Sequence, residues 1–253
     1  MTRIMPLLAL LLLGGCASKP QVLPDAEPPV LPPSSERDPL EGFNRAMWEL
    51  NYEVIDPHVA RPVTVAYSEN VPKPIRTGLL NFANNLGEPS SAVNQFLRFE
   101  WGQAATTTGR FLINTTIGVL GLIDVAGHWG MERKETEFGE VLGYYGVAEG
   151  PYIMLPALGP TTIREEVGEW VDFLYPPLGA LNFTEKALRW TIRGLDARER
   201  AMEQEGLLNQ SLDPYAFVRD AYFQHVYFNT YNQAPPQPPE EELGDEDFLD
   251  EID

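Results

Sequence analysis

One cysteine, three histidines and few basic residues exclude much of what a chain of 253 residues could do. With Cys16 alone, no disulfide framework and no cysteine metal site can form within the chain. His58, His128 and His225 sit far apart, without the spacing that binds zinc. Eighteen Lys and Arg stand against 37 Asp and Glu, a net charge of −19 with no basic run. That argues against nucleic acid as a partner and against adhesion to an anionic membrane by charge. No Gly-x-Ser-x-Gly elbow and no Gly-rich phosphate loop occurs. His58 beside Asp56-Pro57 reads as a turn with a solvated imidazole, and His225, on an aromatic face, as a packed core residue. Glu165 and Glu166 occupy adjacent positions on the wet side of a helix and do not face each other. Nothing in this inventory argues for catalysis.

Long hydrophobic runs are also missing. The stretch Ile117 to Gly127 is apolar but short, and holds Asp124 and three glycines. Arg3 followed by the apolar run Ile4–Leu13 is too short to span a bilayer, which takes about 20 apolar residues. It reads as a secretory signal segment, residues 1–15. Its end, Leu13-Gly14-Gly15-Cys16, resembles a bacterial lipobox. Cys16 would then carry a diacylglycerol thioether and an N-acyl chain, the sole covalent groups expected, with no other cofactor and no metal. One chain binds a membrane marginally, at about 0.8 kcal/mol per buried CH₂, whereas three would hold the protein there. The competing account is ordinary cleavage at Gly14 or Gly15, leaving a free thiol.

Residues 16–35 carry six prolines and read as an extended tether. Residues 233–253 are Pro-rich and then acidic, with nine acids and no base over 240–253, and read as a disordered tail. Between them, 36–232 reads as one mainly α-helical domain. Asp38-Pro39-Leu40-Glu41 predicts an N-cap and capping box, with Phe43, Met47, Leu50 and Val54 as the apolar face of a helix ended by Asp56-Pro57. Helices are expected over Ile75–Leu86, Ser90–Phe99 and Trp101–Thr115, the last with Ala105 and Gly109 open to a close neighbour. Thr162–Tyr175 has a capping box, Thr162 with Glu165, and an apolar stripe Ile163, Val167, Trp170, Val171, Leu174. Further helices are expected over Thr184–Gln204, with Leu188, Ile192, Leu195 and Met202 inward, and from Asp213-Pro214 to Tyr231, with Phe217, Ala221, His225 and Phe228 on one side. Val147–Leu155 could be extended, but Gly150-Pro151 weakens that reading.

Asn81, Asn84, Asn85, Asn94 and Asn114 recur among apolar neighbours. Capping and turn chemistry accounts for them, as does a polar lining inside an apolar body.

Several stretches in order resemble the MlaA (VacJ) lipoproteins. They are Asp38-Pro39-Leu40-Glu41-Gly42-Phe43-Asn44-Arg45, Asn84-Asn85-Leu86, Arg110-Phe111 with Ile113-Asn114-Thr115-Thr116-Ile117-Gly118, Gly121-Leu122-Ile123-Asp124-Val125-Ala126, and Gly159-Pro160 with Arg164. The likeness runs over about 38–176, with an echo in Ser211-Leu212-Asp213-Pro214-Tyr215. It implies a ring of helices in the inner leaflet of the outer membrane, without a transmembrane helix and pierced by an amphipathic channel. Through it phospholipids mislocalised in the outer leaflet would pass to a soluble periplasmic lipid carrier, and a trimeric outer-membrane porin would be a partner. Ala17 after Cys16 agrees with sorting to the outer membrane. One departure falls at Glu135-Thr136-Glu137-Phe138-Gly139-Glu140, where the family usually shows Glu-Asp-Phe-Gly-Gln. The rival classes are a membrane-anchored periplasmic phospholipase and a structural porin-associated lipoprotein.

Within that frame, Thr107 and Asn114, two helical turns apart, are candidates for the channel wall, with tight helix packing as the competing account. Phe43 and Asn44 are the companion candidates for a gate, against a plain core role for Phe43.

Overall fold

The computed structural model describes residues 32–233; Cys16, the signal segment, nearly all of the tether and the acidic tail lie outside the described residues. A 3₁₀ turn, Ser34–Arg37, leads into α1 (Glu41–Glu49). The helix does not end at Asp56-Pro57. It continues as a π-helical stretch, Leu50–Ala60, and then as α2 (Arg61–Asn70). Proline lacks an N–H and clashes with the preceding turn of an α-helix, and the wider π register accommodates Pro57. Asp56 is occupied otherwise, accepting two hydrogen bonds from Arg198 at 2.6 and 2.7 Å. Asp38 is also not a cap. It is buried, and takes hydrogen bonds from Asn44 at 2.7 Å, from the Tyr215 hydroxyl, and from Arg219 at 3.4 Å.

Next come α3 (Lys73–Asn85), α4 (Glu88–Leu97) and α5 (Trp101–Thr116), close to their expected bounds. A short α6 (Val125–His128) is capped by Asp124, whose side chain accepts from the Gly127 amide at 2.9 Å. The inward face of α5 is Ala104, Thr107, Arg110 and Asn114; Ala105 is exposed. After α7 (Phe138–Tyr144) the chain forms an antiparallel hairpin, β1 (Tyr152–Leu155) with β2 (Gly159–Thr162), in the register Tyr152↔Thr162 to Leu155↔Gly159. Four-residue strands carry too little alternation to be read in advance.

In α8 (Ile163–Asp172) the expected capping box is absent, because Thr162 makes no side-chain cap and Glu165 turns to Arg164 at 2.8 Å. α9 (Phe183–Gln210) has the capping box instead, between Asn182 and Glu185, and runs straight through Gly206. Its Leu188 faces outward. α10 (Pro214–Tyr231) begins where Asp213-Pro214 predicts, with Asp213 capping the Ala216 amide at 3.1 Å. Its inward residues are Tyr215, Arg219, Phe223, Val226 and Thr230; Phe217 and Phe228, with His225, point the other way.

One apolar cluster, Tyr152, Met154, Tyr215 and Phe223, joins β1 to α10 and packs on Met47 and Trp48 of α1. Most of the remaining interior is polar. Among the described residues, 21 polar or charged side chains are buried against 11 apolar ones, while 31 large apolar side chains are exposed. On α8 the predicted stripe Ile163, Val167, Trp170 and Leu174 is exposed, and Arg164 and Asp172 are buried. The loop after α5 presents Ile117, Val119, Leu120, Leu122 and Ile123 outward. Among the described residues, no helix is long and apolar enough to cross a membrane.

Candidate functional site

An amphipathic cavity of about 1220 Å³ opens between the loop before α7, the hairpin, and helices α8, α9 and α10. Helical spacing builds its walls. α8 and the turn that follows it supply Glu165, Glu166, Glu169, Trp170, Phe173 and Leu174, and α9 supplies Phe183, Lys186, Ala187, Trp190 and Arg193. In each case these positions repeat at three and four residues and so share one face. Leu155, Leu158 and Val226 extend the apolar side; Arg133, Glu135, Glu137 and Glu140 extend the polar side. Pro160, Tyr222 and His225 line both this cavity and a second, largely apolar one of about 510 Å³ reaching Trp48, Phe217 and Leu208. These three residues therefore form the partition between two compartments.

The polar side is an electrostatic network rather than a uniform charge. Glu135 pairs with Arg133 at 3.0 Å and Arg193 at 2.8 Å. Burial opposes its charge, but those two guanidiniums hold it below the usual carboxylate range. Glu137 makes no ion pair among the described residues. It lines the cavity, where surrounding protein and the neighbouring Glu135 raise its pKa to about 8. Burial lifts Glu140 well above its ordinary value despite Arg98 at 3.0 Å. Burial likewise raises Glu165, against the pull of Arg164, and Asp172 to about 6. Arg189 behind this wall is pushed down to about 10 by burial and by Arg193. A carboxyl kept neutral or paired in this way lines a low-dielectric space at less cost than a bare charge.

Asn44 is fully buried between α1 and the hairpin. Its amide donates to the Tyr152 carbonyl at 3.0 Å and accepts from the Met154 amide at 2.8 Å. Asn51, two turns on, repeats this with the Leu155 carbonyl at 2.9 Å and the Ala157 amide at 2.7 Å. Two asparagine side chains thus pair with β1 and the turn after it as a neighbouring strand would, clamping the hairpin to the first helix.

Phe43, next to this clamp, is half exposed. Thr107 and Asn114 do share the inward face of α5, as their spacing predicts. Asn114 donates to Asp124 at 2.8 Å and accepts from the Ala126 amide at 2.9 Å, holding α6 against α5. Thr106 and Thr108 return their hydroxyls to the carbonyls of Gly102 and Ala104, whereas the buried Thr107 hydroxyl has no partner. None of Phe43, Asn44, Thr107 and Asn114 lies on the wall of the large cavity. The recurring asparagines bind elements together: Asn94 donates to the Thr136 carbonyl at 3.0 Å and to Asp172 at 2.7 Å, and Asn85 to Thr115 at 2.9 Å. Among the described residues His58 has a hydrogen bond to the Val54 carbonyl alone, at 2.9 Å, and His225 is exposed on the partition rather than packed in a core.

The wall residues that the sequence reading missed are chiefly Glu137, Glu166, Glu169, Trp170, Lys186 and Arg193. The acids of α8 did stand out as a wet face, and that face borders the cavity.

A polar-cored, apolar-coated helical body around an amphipathic cavity is an unusual arrangement, and a family model described as MlaA lipoprotein matches residues 36–229 of it. The chain belongs to the MlaA lipoprotein family. The intermembrane phospholipid transport system lipoprotein MlaA of Shigella flexneri is 43% identical over 220 residues, covering 85% of this chain and 88% of that protein. The protein of the same name from Haemophilus influenzae is 37% identical over 256 aligned positions, covering 100% of this chain and 98% of that one. A solved structure, described as the structural basis for maintenance of bacterial outer membrane lipid asymmetry, superposes with a TM-score of 0.74 at 46% identity. It covers 76% of this chain and 98% of its own. The mainly helical architecture is therefore that of the MlaA family.

Proposed function

We propose that this MlaA family lipoprotein removes mislocalised phospholipid from the outer leaflet of the outer membrane and passes it toward the periplasm, maintaining lipid asymmetry. The observation that carries this is the amphipathic cavity inside an apolar-coated body. Contiguous exposed apolar side chains such as Ile117, Val119, Leu120, Leu122 and Ile123 mark an interaction surface, and acyl chains satisfy it. The body therefore rests in the inner leaflet, held additionally by acyl groups on Cys16. Inside, Trp170, Phe173, Trp190 and Leu174 offer a wall for lipid tails, and the paired or protonated carboxylates opposite offer one for a head group. Passage is passive, driven by the difference between the lipid's two environments, and direction comes from partners. A soluble periplasmic carrier receives the lipid, and a trimeric porin holds the protein in place. No catalytic step is required.

A strain lacking the native gene, complemented with this chain, tests the proposal. Restored clearance of outer-leaflet phospholipid is the expected result; phospholipid persisting at the level of the empty-vector strain, with the protein present in the membrane, would overturn it.

A further inference from the structure

The charges on the cavity wall are not equally committed. Arg133 and Arg193 are both held by Glu135, and Lys134 by Glu100 at 2.9 Å. Glu165 and Glu140 are held by Arg164 and Arg98. Lys186 is different: its ammonium lies 4.8 Å from the centre of the Phe173 ring and, among the described residues, has no carboxylate partner. Glu166 and Glu169, on the same face of α8, also have no ion-pair partner, although both line the cavity. Phe173 is one turn beyond Glu169 and two beyond Glu166, and a turn of helix rises about 5.4 Å. A free cation and two free carboxylates are thus set out along one line of the wall, beside Trp170 and Trp190.

We propose that this line reads the lipid head group: Lys186 takes the phosphate, and Glu166 with Glu169 takes a primary ammonium joined to it by a short linker. This rests on the phospholipid reading above and names the head-group class, an aminophosphate zwitterion. An uncharged polyol head would leave both carboxylates without a cation and bring a net negative lipid against them. The two acids already strain each other: burial and then the neighbouring Glu166 raise the pKa of Glu169, and the more distant charges of Arg193 and Arg189 offset this only in part. An ammonium between them relieves that repulsion. Phe173 fixes the Lys186 ammonium at the wall rather than letting it swing into the lumen.

The full chain, purified in a neutral detergent, is offered phosphatidylethanolamine and phosphatidylglycerol of identical acyl chains at equal concentration, and retained lipid is read by native mass spectrometry. The wild type is expected to retain phosphatidylethanolamine about tenfold over phosphatidylglycerol, equivalent to about 1.4 kcal/mol. Glu166→Gln with Glu169→Gln, isosteric changes at cavity-facing positions, should bring the ratio to about twofold or less by loss of phosphatidylethanolamine, with phosphatidylglycerol retention not lowered and melting unchanged, the factor expected from losing one charge-assisted contact. Lys186→Met should lower retention of both lipids without changing which is preferred. Retention of both lipids equally by the wild type, or an unchanged ratio in the double variant, would overturn the head-group assignment alone. Retention of no phospholipid by the wild type would instead overturn the transport reading on which it rests.

Discussion

Replacing Asn44 by alanine removes three hydrogen bonds at once, to Asp38, to the Tyr152 carbonyl and from the Met154 amide. Asp38 keeps Tyr215 and Arg219, so its carboxylate stays satisfied. The two β1 backbone groups do not: Tyr152 and Met154 are among the most buried residues of the domain, and water cannot reach them. An orphaned buried backbone group costs about 1–3 kcal/mol, giving about 2–6 kcal/mol for the pair. For a domain of this size each kcal/mol lowers the melting temperature by about 2–4 °C, so Asn44→Ala should melt at least about 4 °C, and up to about 24 °C, below wild type. Asn51→Ala should lose less, since Ala157 is exposed and solvent can replace the lost amide. Phe43→Ala, at a half-exposed position, should shift melting by no more than about 2 °C in detergent. Circular dichroism of the full chain in detergent measures all three. Equal melting of Asn44→Ala and wild type would refute the hairpin clamp and return Asn44 to the role of a gate.

Glu137 holds its proton up to about pH 8 in the folded state, because of burial and then Glu135, whereas an unfolded glutamate loses it near 4.3. The folded state binds more protons across that window, so wild-type stability falls as pH rises from about 5 through 8; Glu137→Gln should flatten this, with an advantage at pH 8 and none at pH 4. An unchanged pH slope of melting would contradict it. Thr107→Trp places an indole where a fully buried threonine packs between α4 and α5, and should cost at least the ~1–3 kcal/mol of overpacking and lower abundance in the membrane; normal abundance with lost lipid clearance would place Thr107 on the conduit after all. Cys16→Ala should abolish labelling by a palmitate analogue, and equal label in variant and wild type would dispose of the lipid anchor.

What could be read in advance depended on how local the signal was. Asp213-Pro214 fixed the start of α10 because a cap and a first-turn proline act within one turn. The apolar stripe of α8 and the core reading of His225 on α10 carried less, for a different reason. A stripe such as Ile163, Val167, Trp170 and Leu174 says that two faces differ, not which one is inside. Arg164 and Asp172 turn into the polar interior, Ile163 and Val167 turn out to the surroundings, and Trp170 and Leu174 border the cavity. The role of Asn44 was invisible because its partners lie 108 and 110 residues away. Lys186 and Glu169 were missed because the lumen that gives them meaning exists only once α8 and α9 face each other.

The most direct test of the conduit is to fill it. Ala187 lies on the cavity wall, between Lys186 and the Trp190 that follows one turn later, and its side chain is small and exposed to the lumen. Ala187→Trp should occlude the cavity while leaving the packed interior untouched. Expressed in the strain that lacks the native gene, it should reach wild-type abundance and melt at the wild-type temperature, yet leave phospholipid in the outer leaflet. Wild-type clearance by an abundant, stably folded Ala187→Trp protein would contradict passage through this cavity.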